Sequence, residues 1–220
     1  MTKLYSGPLS MFGAKAEIAL REKGVDFELE MVPFSQEKGY NPKHPEVLRV
    51  NPKRQVPVLI DGEVEIYDST QIFEYCEDRW SDQELWPMTI PARARARQLE
   101  LAADEVFFPH VIVLMRMRAD PDPVTSPEWV KSRESLEWYY ARMEAQLNGR
   151  EYLAGPFTYA DISFYMAQFF AARHTVPIEA KHVNLLAWRK RVYERPAVKV
   201  VIDRIAEYLR SINYPVPAYD

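Results

Sequence analysis

The chain has 220 residues, 47% of them hydrophobic and 27% charged, which suffices for one large or two small domains around a real core and is not the composition of a disordered chain. Twenty-eight Lys and Arg against 32 Asp and Glu leave a net charge of −4, so no global field draws the protein to nucleic acid or to an anionic membrane. The single cysteine, Cys76, excludes an intramolecular disulfide and any CxxC redox pair, and fits a reducing compartment.

The first residues run straight into a strand pattern without a basic and then apolar leader, and no run approaches the ~18 apolar residues of a membrane span. A cytoplasmic protein is expected. Lys3 to Ser6 reads as a strand, and Ser10 to Lys23 as a helix that Gly24 stops. "DFELEMV" (26–32) alternates as a second strand. "PVLIDGEVEIYD" (57–68) reads as a hairpin turning at Asp61-Gly62, and "STQIFEYCEDRW" (69–80) as a helix with Ile72, Phe73, Cys76 and Trp80 on one face.

After "SDQELWP", a polar linker that starts at residue 81, every segment reads helical. The stretch 91–118 is predicted as one long helix bent near Pro109, which lacks a backbone N–H. Residues 120–127 read as a loop. Ser126-Pro127 opens a helix through Leu147 whose inward stripe is Leu136, Tyr140, Met143 and Leu147, and two further helices are expected near 184–194 and 196–211.

Three segments carry information beyond the fold. Thr158 and Asp161 have capping-box spacing at the start of an apolar helix, which accounts for both without catalysis. In "VNPKRQVPVLIDG", Val56-Pro57 stands at a strand opening, where proline loses no ladder donor; a cis bond there would leave the backbone of Val56 open to a peptide-like ligand. Asp68 and Ser69 begin a helix, where they either cap it or grip a ligand's carboxylate and ammonium groups.

Together with the turn in "LYSGPLSMFGAKAEIALREKG" and the later "LAGPFTYADISFYMAQ", these pieces resemble the glutathione S-transferase superfamily, bacterial and theta-like members of the serine type in particular. The resemblance spans the chain. It implies an α/β plus all-α protein: a thioredoxin-like domain (βαβαββα) over residues 1–81 that binds glutathione, then an all-helical domain over 88–220. It implies glutathione as co-substrate, no metal, a homodimer, and neither nucleic acid nor membrane as partner. Val56, ahead of cis-Pro57, would pair with the cysteinyl part of glutathione; Asp68 and Ser69 would hold the γ-glutamyl end. Gln55, with Lys43 or His44, would lie near the glycyl end, Arg54 less well placed.

By the same resemblance Ser10 is the residue that donates a hydrogen bond to the sulfur, with Ser6 the runner-up. Tyr5 falls too early for the tyrosine-type enzymes, and no cysteine lies near Ser10 for a redox type. The electrophile pocket would use Met11 and Phe12, with Phe107, Phe108, His110, Val111 and Met115 as candidates from the long helix; Phe12, Phe108 and Val111 are the chosen ones. A histidine such as His110 is more often satisfied than catalytic. The arginines of "ARARARQ" (92–98) fall on different sides of a helix, as solvated charge or part of a subunit interface. The expected activity is attack of activated glutathione on a small apolar electrophile, in detoxification. The alternatives are a non-catalytic ligand-binding or assembly protein, and a glutathione-dependent dehalogenase or etherase.

Overall fold

The computed structural model describes residues 1–118 and 123–219. It forms two compact units: Met1–Glu84 with Lys199–Ile212, and Leu85–Val198 with the segment from Asn213 onward. The last helix thus contributes most of its length to the first unit rather than to the helical one expected from residue 88 on.

The first unit is built on a sheet ordered β2-β1-β3-β4, from β1 (Thr2–Ser6), β2 (Phe27–Met31), β3 (Val58–Asp61) and β4 (Val64–Tyr67). β1 runs parallel to β2 and antiparallel to β3. Helix α1 (Met11–Glu22) makes the parallel crossover, α2 (Pro45–Val50) lies between β2 and β3, and α3 (Ser69–Arg79) follows β4. This is the thioredoxin-like order expected. Because successive strand residues point to opposite faces, the sheet has two apolar layers. Leu4 and Leu59 pack with Ala16, Leu20, Ile72 and Cys76 on one side, whereas Tyr5 and Val58 pack with Val32 and Val47 on the other.

The hairpin turn falls one residue later than expected. Asp61 is still paired with Val64, so Gly62 and Glu63 make the loop, and Gly62 takes the positive φ of 62° that glycine adopts without a Cβ clash. In the same unit, the fully buried Glu17 of α1 is held by Arg204 from α9 (Pro196–Ser211), through two N–H···O contacts, and by Arg21 at 2.9 Å. These donors replace the water that burial strips from the carboxylate.

The second unit is helical. Residues 91–118 are not one bent helix: α4 (Ile90–Ala102) leads into a π-helical segment, Ala103–Phe107, and then α5 (Phe108–Met117). Pro109, lacking an N–H, sits in the first turn of α5, where no donor is needed, and the wide turn just upstream absorbs the break. The predicted loop lies outside the described residues as far as 122; Pro123–Thr125 form a short 3₁₀ turn. Next come α6 (Pro127–Gln146), α7 (Tyr159–Arg173) and α8 (Val183–Tyr193). Leu136, Tyr140, Met143 and Leu147 are buried as the periodicity requires, while Ser126 makes no side-chain cap. Among the described residues no helix is long and apolar enough to cross a membrane.

Candidate functional site

Strand register decides which loops meet. Tyr5 near the end of β1 pairs with Val58, the first residue of β3, and Val58 pairs with Tyr67, the last residue of β4. The turn Gly7–Ser10, the Val56-Pro57 opening and the Asp68-Ser69 helix start therefore emerge at one edge of the same sheet. The family resemblance assigns these three segments to one glutathione, and the antiparallel register brings them together.

Ser10 is the N-cap of α1, with an extended backbone and its Oγ accepting the N–H of Gly13 at 3.0 Å. An accepting hydroxyl still has its own proton to donate. Ser10 is 8% exposed and Ser6 only 1%. The Ser6 Oγ is also close to the helix start, since a Cβ placed on Gly13 would meet it at 2.2 Å, and it has no hydrogen-bond partner among the described residues. Tyr40 braces the turn from outside: its hydroxyl accepts the N–H of Leu9 at 3.0 Å, and its ring fills the space where a side chain at Gly7 would go, 2.3 Å from a hypothetical Cβ.

The Val56–Pro57 bond is cis, and the ladder begins only at Val58, which leaves Val56 outside the sheet's pairing. The loop ahead of it is tied by Asn51, whose Nδ2 donates to the Gln55 carbonyl at 2.5 Å and whose Oδ1 accepts from the N–H of Lys53 at 2.9 Å. Asp68 caps α3 by accepting the Thr70 N–H at 3.0 Å, with φ at +79°. Non-glycine residues rarely take that conformation, and it stores of order 1–3 kcal/mol. Lys53 Nζ stands 3.5 Å from the Asp68 carboxylate. Ser69, the first residue of α3, is only 2% exposed.

The remaining candidates scatter. Lys43 has its ammonium 6.0 Å above the Tyr40 ring. His44 caps α2, its Nδ1 accepting the Glu46 N–H, and its ring lies 4.9 Å from that of Tyr5. Phe12 is half-buried in α1, under the Lys15 ammonium at 5.5 Å. In the helical unit Val111 is 0% exposed and Phe108 is a core residue packed on Phe170, so Val111 offers a ligand no surface and Phe108 hardly any. Their period put them on the apolar stripe of α5, which is the stripe that builds the core. His110 is 3.4 Å from Ser132 Oγ, and burial holds its pKa below the usual value.

Asp161 is structural, as its spacing implied. It completes the capping box with Thr158 and also accepts from the Leu153 N–H at 3.0 Å and the Trp188 indole N–H at 2.8 Å. Burial pushes its pKa up to about 6 against those bonds. Burial likewise pushes the Cys76 thiol up to about 12, which makes it inert. Sequence reasoning missed Gly13, Tyr40 and Lys53. The glycine just after Ser10 was a readable signal; Tyr40 and Lys53 arrive through the fold.

Residues 4–84 match the family model of the glutathione S-transferase N-terminal domain, and residues 103–196 that of the C-terminal domain. Glutathione S-transferase F10 of Arabidopsis thaliana is 32% identical over 215 residues, covering 88% of this chain and 93% of that protein. The chain belongs to the glutathione S-transferase family. A stringent starvation protein A homolog of Coxiella burnetii is 25% identical over 96% of this chain and 95% of its own length. Among solved structures, the glutathione transferase URE2P6 from Phanerochaete chrysosporium in complex with oxidized glutathione superposes with a TM-score of 0.79, at 25% identity, over 94% of this chain and 96% of that one. The family assignment agrees with the sheet-edge geometry, where a capped helix start, a cis-proline strand opening and a second helix start converge.

Proposed function

We propose that this glutathione S-transferase binds glutathione at that sheet edge and uses the Ser10 hydroxyl to stabilise its thiolate for attack on a small apolar electrophile. The observation that carries the reading is the hydrogen bond from the Gly13 N–H to Ser10 Oγ, which orients the hydroxyl at the positive end of α1 and leaves its proton for the sulfur. Val56 offers its backbone to the cysteinyl peptide group. Asp68 and the N–H groups that open α3 receive the γ-glutamyl ammonium and carboxylate, and Gln55 and Lys43 are assigned to the glycyl end on the family resemblance alone. Phe12 remains as the apolar contact for the electrophile.

A free thiol of pKa about 8.5 is only about 3% thiolate at pH 7, and lowering that pKa by about 2 units requires about 2.7 kcal/mol of preference for the anion. One charge-assisted hydrogen bond and a helix N-terminus supply energy of that order. The thiol proton leaves to solvent. The sulfur lone pair then forms the new C–S bond as a leaving group departs with its bonding pair, or as the pair it displaces enters a conjugated acceptor.

One relative of similar length, the stringent starvation protein A homolog, does not carry a transferase's name, and the second reading is a non-catalytic ligand-binding or assembly protein of the same fold. Glutathione titration followed by thiolate absorbance across pH, together with turnover of a chromogenic aryl halide, decides between them. A lowered thiol pKa with turnover supports the enzyme. Absence of glutathione binding supports the non-catalytic protein.

A further inference from the structure

The helical unit holds a cavity of about 280 Å³, lined by none of the residues assigned to glutathione. Leu114 of α5, Arg118 just beyond it, Trp129 of α6, Arg173 and His174 at the end of α7, and Tyr214 of the C-terminal segment line it. The guanidinium groups of Arg118 and Arg173 both stand over the Tyr214 ring, at 5.9 and 5.6 Å from its centroid. No Asp or Glu is among the described residues lining the space. Among the described residues the lining thus brings two guanidinium groups to low-dielectric walls, the arrangement that focuses a field on an anion.

Basic side chains at a helix C-terminus often serve only to cap its carbonyls. At α7 that work is already done by the backbone: His174 N–H bonds the carbonyls of Phe170 and Ala171, Thr175 N–H that of Ala172, and Val176 N–H that of Ala171 again. His174 has a second distinguishing feature. Its Nε2 is buried and lacks a hydrogen-bond partner among the described residues. Burial and the two arginines hold its pKa down to about 4, so at neutral pH the ring is uncharged and has one hydrogen bond to give without bringing another charge.

We propose that this cavity binds a small organic carboxylate with an apolar body, its carboxylate on Arg118 and Arg173 and its hydrocarbon part against Leu114 and Trp129. A guanidinium carries five N–H donors, so each arginine keeps its present contacts while receiving the ligand. Its planar fork matches a carboxylate. The volume is at the lower limit of small-molecule sites, ~300–1,000 Å³, which selects a single ring with a short side chain. The site lies wholly within the helical unit, so it stands or falls independently of the glutathione reading.

The test is calorimetric titration of the full chain with hydrocinnamate and with its neutral analogue hydrocinnamyl alcohol, at low and high salt. The acid is expected to bind at least about tenfold more tightly than the alcohol and to weaken as salt rises, the difference of a charge-assisted hydrogen bond. Arg118→Gln and Arg173→Gln, each checked for folding by thermal melting, are expected to cut acid affinity about tenfold or more while leaving the alcohol and glutathione unchanged. Arg118 is exposed, so its variant decides the matter if the Arg173 variant fails to fold. Equal binding of acid and alcohol, wild-type acid binding by Arg118→Gln, or no binding of the acid up to about 10 mM overturns the proposal.

Discussion

The Oγ of Ser10 accepts the amide hydrogen of Gly13 at 3.0 Å, so in the proposed function a single hydroxyl both caps α1 and carries the proton offered to sulfur. Ser10→Ala removes both at once. The expected loss of stability is about 1 kcal/mol, and the thiol pKa of bound glutathione is expected to rise by about 1–2 units. Thermal melting reads the first effect and thiolate absorbance the second, while Ser10→Thr, which keeps a capping hydroxyl, should retain most of both. An unchanged thiol pKa in Ser10→Ala, with a raised one in Ser6→Ala, would transfer the role to Ser6.

Gly13 is glycine because of Ser6. A methyl group at residue 13 would stand 2.2 Å from Ser6 Oγ, so Gly13→Ala is expected to destabilise by about 1–3 kcal/mol and to disturb the Ser10 cap. Ser6→Ala alone should be close to neutral, since it removes a buried hydroxyl that has no partner among the described residues. The double variant Ser6→Ala/Gly13→Ala is then expected to regain part of the loss. A double-mutant cycle of melting temperatures showing strict additivity would refute this coupling.

Asp68 combines an acceptor for Thr70 N–H with a φ of +79°. Asn tolerates such a φ and can still accept that bond, whereas Ala does neither. Asp68→Asn is expected to fold normally and to bind glutathione about 10–100-fold more weakly, through loss of the charge that meets the ammonium group. Asp68→Ala is expected to lose about 1–2 kcal/mol of stability as well. Isothermal titration with glutathione, set beside thermal melts, separates the two effects.

Asp161 accepts hydrogen bonds from Leu153, Thr158 and Trp188 in the core of the helical unit. Asp161→Ala leaves these buried donors without an acceptor, at about 1–3 kcal/mol each. Little folded variant should be recovered at growth temperature, and circular dichroism should show the helical signal lost. A stable, fully helical Asp161→Ala protein would contradict the capping role.

His174 has a folded pKa of about 4, depressed by burial and then by Arg173 and Arg118, against about 6.5 in the unfolded chain. Above the unfolded value both states are neutral and the group has no effect. As pH falls from about 6.5 to 4 the unfolded chain takes up a proton that the folded one does not, so stability is lost through that window, by up to about 3 kcal/mol. His174→Gln does not titrate. Its stability relative to wild type should therefore improve steadily as pH drops from 6.5 to 4 in parallel urea melts, and a flat difference would dispose of the assignment.

The strands, the hairpin and helices α1 and α3 of the first unit were legible because alternation, turn residues and caps are local properties of the chain, whereas α2 (Pro45–Val50) entered only through the family resemblance. So was the capping role of Thr158 and Asp161, for the same reason. The hairpin register was misplaced by one residue, because Asp61-Gly62 and Gly62-Glu63 are nearly equivalent as local turn chemistry and only the pairing of Asp61 with Val64 separates them. The sequence places a bend in the long helix near Pro109, whereas the backbone widens into a π-helical turn just before it, at Ala103–Phe107.

What the linear chain determined by itself was the set of elements and the chemistry available at three loops: a hydroxyl at a helix start, a proline at a strand opening, an acid at a second helix start. What only the tertiary structure decided was their meeting. The pairing of Tyr5 with Val58 and of Val58 with Tyr67 joins residues more than fifty positions apart in the first case, and no local pattern encodes that distance. The burial of Val111, the approach of Lys53 to Asp68, and the gathering of Arg118 and Arg173 over Tyr214 follow from packing in the same way. A helical period shows that a residue lies on an apolar stripe, and only the neighbouring helices determine whether that stripe faces a ligand or the core.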